Sequence, residues 1–356
     1  MGYLRFWLAL AVLSGHLGPL LGLSLADSSA AVLGFFVISG FYMAMVLDGK
    51  YGQDRTAFYW NRLLRLWPPY LALLLASLLV SLGAAILGGV YVGPLRALVA
   101  GGIHASLGTL TFSLLSQLSM LGPGFHHLLA VTPQGGLAWA PNGYYQPNSF
   151  WLFDLIPQAW SLATELVFYA LAPWIVRWPS RRLALLFVAG AALRLAGDLA
   201  LPLQAWPWRD RLLPLDLTVF CAGILVWRLQ RRPLPPAWRR APAWAAGLAL
   251  AMLAAAPTLF PGPSKAAQHL LVPCLCAAAT PWLMAPGRSH GFERAVGELS
   301  YPLYLCHLLV AACAGLLGFP GVGAAVAASV AVAYLIHRLL ERPLERRFKR
   351  VPRPAR

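Results

Sequence analysis

Charge is what this sequence has least of. Of its 356 residues only 11% are Asp, Glu, Lys or Arg, and just 12 are acidic. A soluble domain carries roughly a quarter charged residues, so a water-soluble globular chain is excluded. Cysteine is scarce too. Cys221, Cys274, Cys276, Cys306 and Cys313 all fall in apolar segments, without the paired spacing of a zinc site, and read as small hydrophobic residues. No metal site is expected: the adjacent His126 and His127 have no ligand-spaced partner and read as ordinary loop residues. The first 25 residues lack an A-x-A-like cleavage site, so the opening apolar run is expected to be a retained span rather than a signal peptide. No long low-complexity tract or soluble domain is visible.

What is present is apolar. The chain is 59% hydrophobic, with a mean hydropathy of +0.64. The apolar residues come in runs separated by short basic loops, the pattern of an all-α polytopic membrane protein; an outer-membrane barrel would alternate polar and apolar residues instead. Ten spans are expected, at 4–24, 29–48, 70–91, 158–177, 183–202, 212–229, 242–260, 267–286, 298–317 and 321–340. An even number puts both termini on one side. With the termini in the cytoplasm, the inner loops receive most basic residues from Arg5 to Arg294, together with Arg338 and the tail, and the outer loops receive Arg96, Arg209, Arg211 and Lys265. That asymmetry obeys the positive-inside rule. The net charge of +16 is therefore read as a topology signal beside anionic lipid, and nucleic acid is not an expected partner. Residues 1–345 form the transmembrane domain and 346–356 a basic cytoplasmic tail.

One region resists placement. Residues 92–157 lie outside by this count, yet ASLGTLTFSLLSQLSMLG (105–122) is apolar enough to enter the bilayer. An interfacial or re-entrant helix and a pair of short spans all remain open. The loop GYYQPNSFW (143–151) that follows suits stacking and hydrogen bonding to a sugar. It also suits an aromatic belt at headgroup level, which is the favoured reading.

Ionisable groups within spans are costly and mark function by default. In the first span, Arg5 and His16 are eleven residues apart, about three turns plus 20°, so they share a face and lie roughly 16 Å apart along it. They read as a lane from the inner surface to a buried imidazole. Glu165, in QAWSLATELVFY (158–169), falls at nearly the same depth as His16. A buried carboxylate needs a partner, and the expectation is that it pairs with His16 and orients the ring. SYPLYLCH brings Ser300, Tyr301, Tyr304 and His307 in from the inner side. In RTAFYWNRLLRLWPPY (55–70), Arg62 and Arg65 are i, i+3 on a short helix expected to stop before Pro68. Paired arginines at that spacing suit phosphate; an inner-surface anchor is the alternative.

Together these motifs resemble the membrane-bound acyltransferase 3 family of bacteria. The resemblance rests on Arg5-x10-His16, on GFFVISGF ending at Ser39, Gly40 and Phe41, and on Arg62 and Arg65 before Pro68. It continues through Trp160, Ser161, Leu162 and Glu165 to Ser300, Tyr301, Tyr304, Leu305 and His307, in order along the chain. Two departures are visible: Leu166 stands where a second Glu often follows, and AAVLG precedes FFVISGF instead of the usual Gly-Val. No esterase-like domain follows the spans, so a stand-alone member is expected.

The resemblance implies O-acyl transfer, most often of acetyl from acetyl-CoA, to a hydroxyl of a cell-envelope or exported carbohydrate or glycolipid, at the bacterial inner membrane. Acyl-CoA is then a donor substrate, and no permanently bound cofactor is expected. His16 is the expected general base and Glu165 its partner. Arg5, Arg62 and Arg65 are expected to hold CoA phosphates, with His16 about a pantetheine arm away. Ser39, Trp160, Ser161, Ser300, Tyr304 and His307 are candidates for substrate contact or oxyanion donation. His16 carrying the acyl group covalently is a further possibility. A transporter or flippase of a lipid-linked saccharide is the rival class, since it too has many spans and intramembrane charges. The chain shows no internal repeat, however, and its arginine motifs lie on one side. A eukaryotic-type membrane O-acyltransferase is disfavoured by the position of His16 and its Arg-x10 partner. The acceptor, the acyl group beyond acetyl and the oligomeric state are not legible.

Overall fold

The computed structural model describes residues 1–20, 22–200, 211–231, 266–283, 291–319 and 321–352. The expected span at 242–260 lies outside the described residues. Each of the other nine expected segments overlaps a helix. These are α1 (Gly2–Leu17), α2 (Ser28–Asp48), α3 (Arg55–Gly88), α5 (Trp160–Ile175), α6 (Ser180–Ala200), α7 (Leu213–Gln230), α8 (Ala266–Leu283), α10 (Ser300–Leu316) and α11 (Val322–Ile336). A short α4 (Leu107–Leu118) precedes α5, and α9 (Gly291–Glu298) precedes α10. After α11 a π turn leads into α12 (Arg342–Phe348).

Length separates these helices. Among the described residues four are long and apolar enough to cross a bilayer: α2, α3, α7 and the continuous stretch Val322–Phe348; α9 and α10 make a fifth if counted together across a 41° bend. At 16 residues each, α1 and α5 rise only about 24 Å, less than the roughly 30 Å hydrocarbon core.

Helix α1 corrects the first expectation. It ends at Leu17, not at 24, because Gly18 takes φ 111° and Pro19 follows. A left-handed glycine ends a helix and a proline cannot continue it. His16 therefore occupies the last turn of α1 and is exposed on the protein surface, not sunk in the middle of a longer span.

Helix α3 corrects the second. It does not stop before Pro68: Pro68 and Pro69 lie inside one helix of 34 residues, about 51 Å long. Proline removes an N–H and crowds the preceding turn. Helices in apolar surroundings tolerate that when neighbours satisfy the disturbed backbone. The carbonyls that lose their donors are those of Leu64 and Arg65, four residues before the two prolines; the adjacent Leu66 carbonyl accepts from the Tyr301 hydroxyl of α10 at 2.6 Å, which ties α10 to this stretch.

Helix α2 is the centre of the bundle. Asp27 caps it, accepting from the Ser29 and Ala30 amides at 3.0 and 3.2 Å, and residues along its whole length are buried. Its crossing with α7 is a glycine contact: a Cβ added at Gly223 would fall 1.9 Å from the Val37 carbonyl oxygen, and one at Gly40 2.1 Å from that of Phe220. Small residues let backbones touch, which is how apolar helices associate without a hydrophobic driving force. Between α6 and α7, Arg194 donates to Asp216 at 2.8 Å with both side chains buried. At the end of the chain, Arg350 and Asn61 of α3 exchange hydrogen bonds of 2.8 and 2.9 Å, and Trp60 donates to the Phe348 carbonyl at 2.8 Å.

Residues 92–157 form a small unit with its own core of Ala97, Ile103, Val131, Phe150 and Phe153. A hairpin of β1 (Leu129–Val131) and β2 (Leu137–Trp139) pairs Leu129 with Trp139 and Val131 with Leu137. The Tyr70 hydroxyl donates to the Gln117 carbonyl at 2.8 Å and the Trp67 indole to that of Leu118 at 3.0 Å. Those bonds fix the end of α4 beside the middle of α3. The unit also corrects one reading: His126 and His127 are not ordinary loop residues but 0% and 2% exposed.

Candidate active site

Several helices converge on one cavity of about 430 Å³. Arg5 enters it from the first turns of α1, Ser39 and Tyr42 from α2, and Arg62 and Arg65 from α3; Ser161, Glu165 and Tyr169 come from α5, and Ser300, Tyr301 and Tyr304 from α10. The i, i+3 and i, i+4 spacings 62/65, 161/165, 165/169 and 300/304 put each set on one helix face, and packing around α2 turns those faces toward each other.

Polarity within the cavity is divided. Glu165 accepts from the Ser39 hydroxyl at 2.8 Å and from the Tyr169 hydroxyl. The Arg62 guanidinium lies over the Tyr169 ring, 5.9 Å from its centroid. Its Nε is buried with no hydrogen-bond partner among the described residues. Among those residues, Arg5, Arg62 and Arg65 make no ion pair. Three guanidiniums on one cavity, one of them with an unpaired Nε, suit an anion with several oxygens, such as a phosphate.

The candidate hydroxyls are all engaged. Ser39 donates to Glu165 at 2.8 Å, Ser300 to the Gly297 carbonyl at 2.8 Å, and Tyr304 to the Gln158 carbonyl at 2.7 Å, with Ser161 Oγ 2.7 Å from Tyr304. An oxyanion would have to win a proton donor from these acceptors, whereas the guanidiniums are already available.

The histidines stand apart from the carboxylate. The His16 and His307 rings lie 5.3 Å apart, and neither lines the cavity. The expected pairing of Glu165 with His16 is not formed: Glu165 is held by Ser39 and Tyr169, and His16, eleven residues or roughly 16 Å along α1 from Arg5, lies beyond the residues that line the cavity. His307 takes the neighbouring place instead. Its Nδ1 lies 2.7 Å from the Tyr304 carbonyl, a contact that requires Nδ1–H as the donor. Its Nε2 is buried and has no partner among the described residues, which leaves a lone pair there in the neutral ring. Tyr304 thus touches the cavity on one side and the histidine pair on the other, with its ring 6.0 Å from that of His307. Trp160 is buried beside this region, with the Arg211 guanidinium 4.5 Å from its ring centroid. Arg211 also reaches Tyr144 of the aromatic loop, and Tyr144 stacks on Trp151 at 5.0 Å.

Sequence reasoning missed Tyr169, although it sits four residues after Glu165 on the same face. Tyr301 was legible as part of the Ser-Tyr motif, but its partner, a backbone carbonyl in α3, was not.

The class follows from these features: a helical membrane-type protein, with at least four helices among the described residues long and apolar enough to cross a bilayer, around a polar cavity lined by three arginines. The particular family follows from comparison. A family model described as an acyltransferase domain matches residues 1–338, and the chain belongs to that family, the acyltransferase 3 family. No curated protein matches the chain, and no solved structure does.

Proposed function

We propose that this acyltransferase moves an acetyl group from cytoplasmic acetyl-CoA to a hydroxyl of an envelope or exported carbohydrate or glycolipid, in the bacterial inner membrane. The observation that carries the reading is the convergence of Arg5, Arg62 and Arg65, without ion-pair partners among the described residues, on one cavity whose far wall, Tyr304, touches a histidine pair. The CoA phosphates bind the three guanidiniums and the thioester points toward Tyr304. His16, with His307 beside it, takes the proton of the attacking hydroxyl. The hydroxyl oxygen bonds to the acyl carbon, the C–S bond breaks, and the departing thiolate is protonated to free CoA. General base catalysis of this kind supplies about 10²–10⁴-fold. Glu165 balances the arginine charge instead of orienting His16. Family membership favours this reading over a transporter.

The test uses purified protein in lipid with radiolabelled acetyl-CoA and envelope extract, wild type beside His16→Ala. His16-dependent CoA release and a labelled acceptor are expected. Wild-type turnover in His16→Ala would remove His16 from catalysis, and absence of turnover with every extract would remove acetyl-CoA as donor.

A further inference from the structure

A second set of reactive groups lies in the unit formed by residues 92–157. His126 is fully buried and bonded at both ring nitrogens: Nδ1 is 2.5 Å from Asp154 Oδ1, and Nε2 is 2.8 Å from Ser116 Oγ. Three aromatic rings, Phe112, Phe125 and Phe150, surround the imidazole at 6.4, 5.2 and 4.5 Å. The carboxylate accepts a hydrogen bond from Nδ1–H, so Nε2 presents its lone pair to the serine. The Ser116 hydroxyl has one proton and two acceptors, Nε2 at 2.8 Å and the Ser113 carbonyl at 3.0 Å, and the shorter contact is to the ring. This is the connectivity of a serine nucleophile, its base and the group that orients the base.

Local backbone geometry maintains the contact. Met120 takes φ 65°, a conformation uncommon for a residue with a side chain, and the chain then doubles back at Gly122. A Cβ at Gly122 would stand 2.8 Å from both His126 Nε2 and Ser116 Cβ, so a glycine is required beside the serine–imidazole junction. Burial raises the Asp154 carboxyl above its usual range and the adjacent His126 draws it back. His127, next in sequence, is held down to about 3 by burial and then by Arg211, and stays neutral. Ser116 itself is only half-buried, on a helix whose Phe112, Leu114, Leu115 and Leu118 are exposed, so an apolar approach to it is open.

We propose that Ser116, His126 and Asp154 form a second acyl-transfer site, in which Ser116 accepts an acyl group from an acyl thioester as a covalent serine ester. The Oγ–C bond forms and the C–S bond breaks. The serine proton passes through His126 Nε2 to the leaving thiolate, so thioester and serine become serine ester and thiol. The choice of a thioester donor rests on the function proposed above, and requires the donor to reach the 92–157 unit, which the charge count puts on the outer side; the activation of Ser116 does neither.

The experiment has two arms on the full-length protein in lipid. In the first, wild type is treated with an alkyl fluorophosphonate and the adduct is mapped by peptide mass spectrometry. A phosphonyl adduct on Ser116 is expected, lost in Ser116→Ala and slowed at least tenfold in Gly122→Ala, with helical circular dichroism retained. A folded wild type labelled at Ser116 no faster than its exposed serines overturns the proposal, and leaves a buried structural His–Asp pair. In the second arm, labelled acetyl-CoA is added and quenched before peptide mapping. An acetyl ester on Ser116 is expected. CoA turnover with no such ester overturns the proposal and spares the function proposed above. Phosphonate labelling without any CoA turnover does the reverse: it supports the activated serine and removes acetyl-CoA.

Discussion

Replacing Arg62 by alanine tests the donor site most directly. Arg62 lines the cavity, and its Nε has no partner among the described residues. Its removal therefore costs the protein little internal hydrogen bonding. The structural loss is its contact with the Tyr169 ring, worth about 0.5–1 kcal/mol for a partly exposed cation. The binding loss is larger. A hydrogen bond to a charged group is worth about 1.5–3 kcal/mol, which is roughly 10- to 150-fold in affinity for an anion. Because the phosphates are remote from the reacting carbonyl, that interaction is equal in ground and transition states and should raise KM with little change in kcat. The assay is initial-rate kinetics at fixed acceptor with acetyl-CoA varied, alongside Arg62→Lys. Lysine keeps the charge and loses the fork, so it should fall between wild type and alanine. A donor KM within twofold of wild type for Arg62→Ala would refute the phosphate role. So would a fall in kcat at constant KM.

Three other outcomes are expected. Gly223→Ala places a methyl group 1.9 Å from the Val37 carbonyl and should destabilise the α2–α7 crossing by at least 1–3 kcal/mol; thermal unfolding in detergent reads this, and an unchanged midpoint would show that the helices can separate freely. Arg194→Met leaves Asp216 buried without its 2.8 Å ion-pair partner, a loss of about 3–5 kcal/mol. The double variant Arg194→Met with Asp216→Leu should regain most of it, and a double variant no more stable than the single one would rule out the pairing as the cause. His307→Gln should lower kcat at least tenfold while leaving CoA binding by calorimetry intact; equal kcat would remove His307 from the proton path.

The sequence by itself determined the apolar segments and the family. Runs of hydrophobic residues carry their own helix signal, and the Arg, Ser-Gly-Phe, Trp-Ser-Leu and Tyr-Leu motifs are local strings. It also held two signals that composition overrides: Gly18-Pro19, which ends α1 early, and Glu165 with Tyr169, one turn apart. Tertiary structure alone decided the partners. Glu165 meets Ser39 of α2 and not His16, and His16 meets His307 of α10. Pro68 and Pro69 stay within one helix, and Tyr301 reaches the Leu66 carbonyl beside them from another helix. Ser116, His126 and Asp154 come together only when α4 and the turns after it fold on each other. The physical reason is the same throughout. Helix formation is satisfied within a segment, by bonds four residues apart, whereas a buried polar group takes the nearest donor or acceptor that packing supplies, and packing is a property of the whole chain.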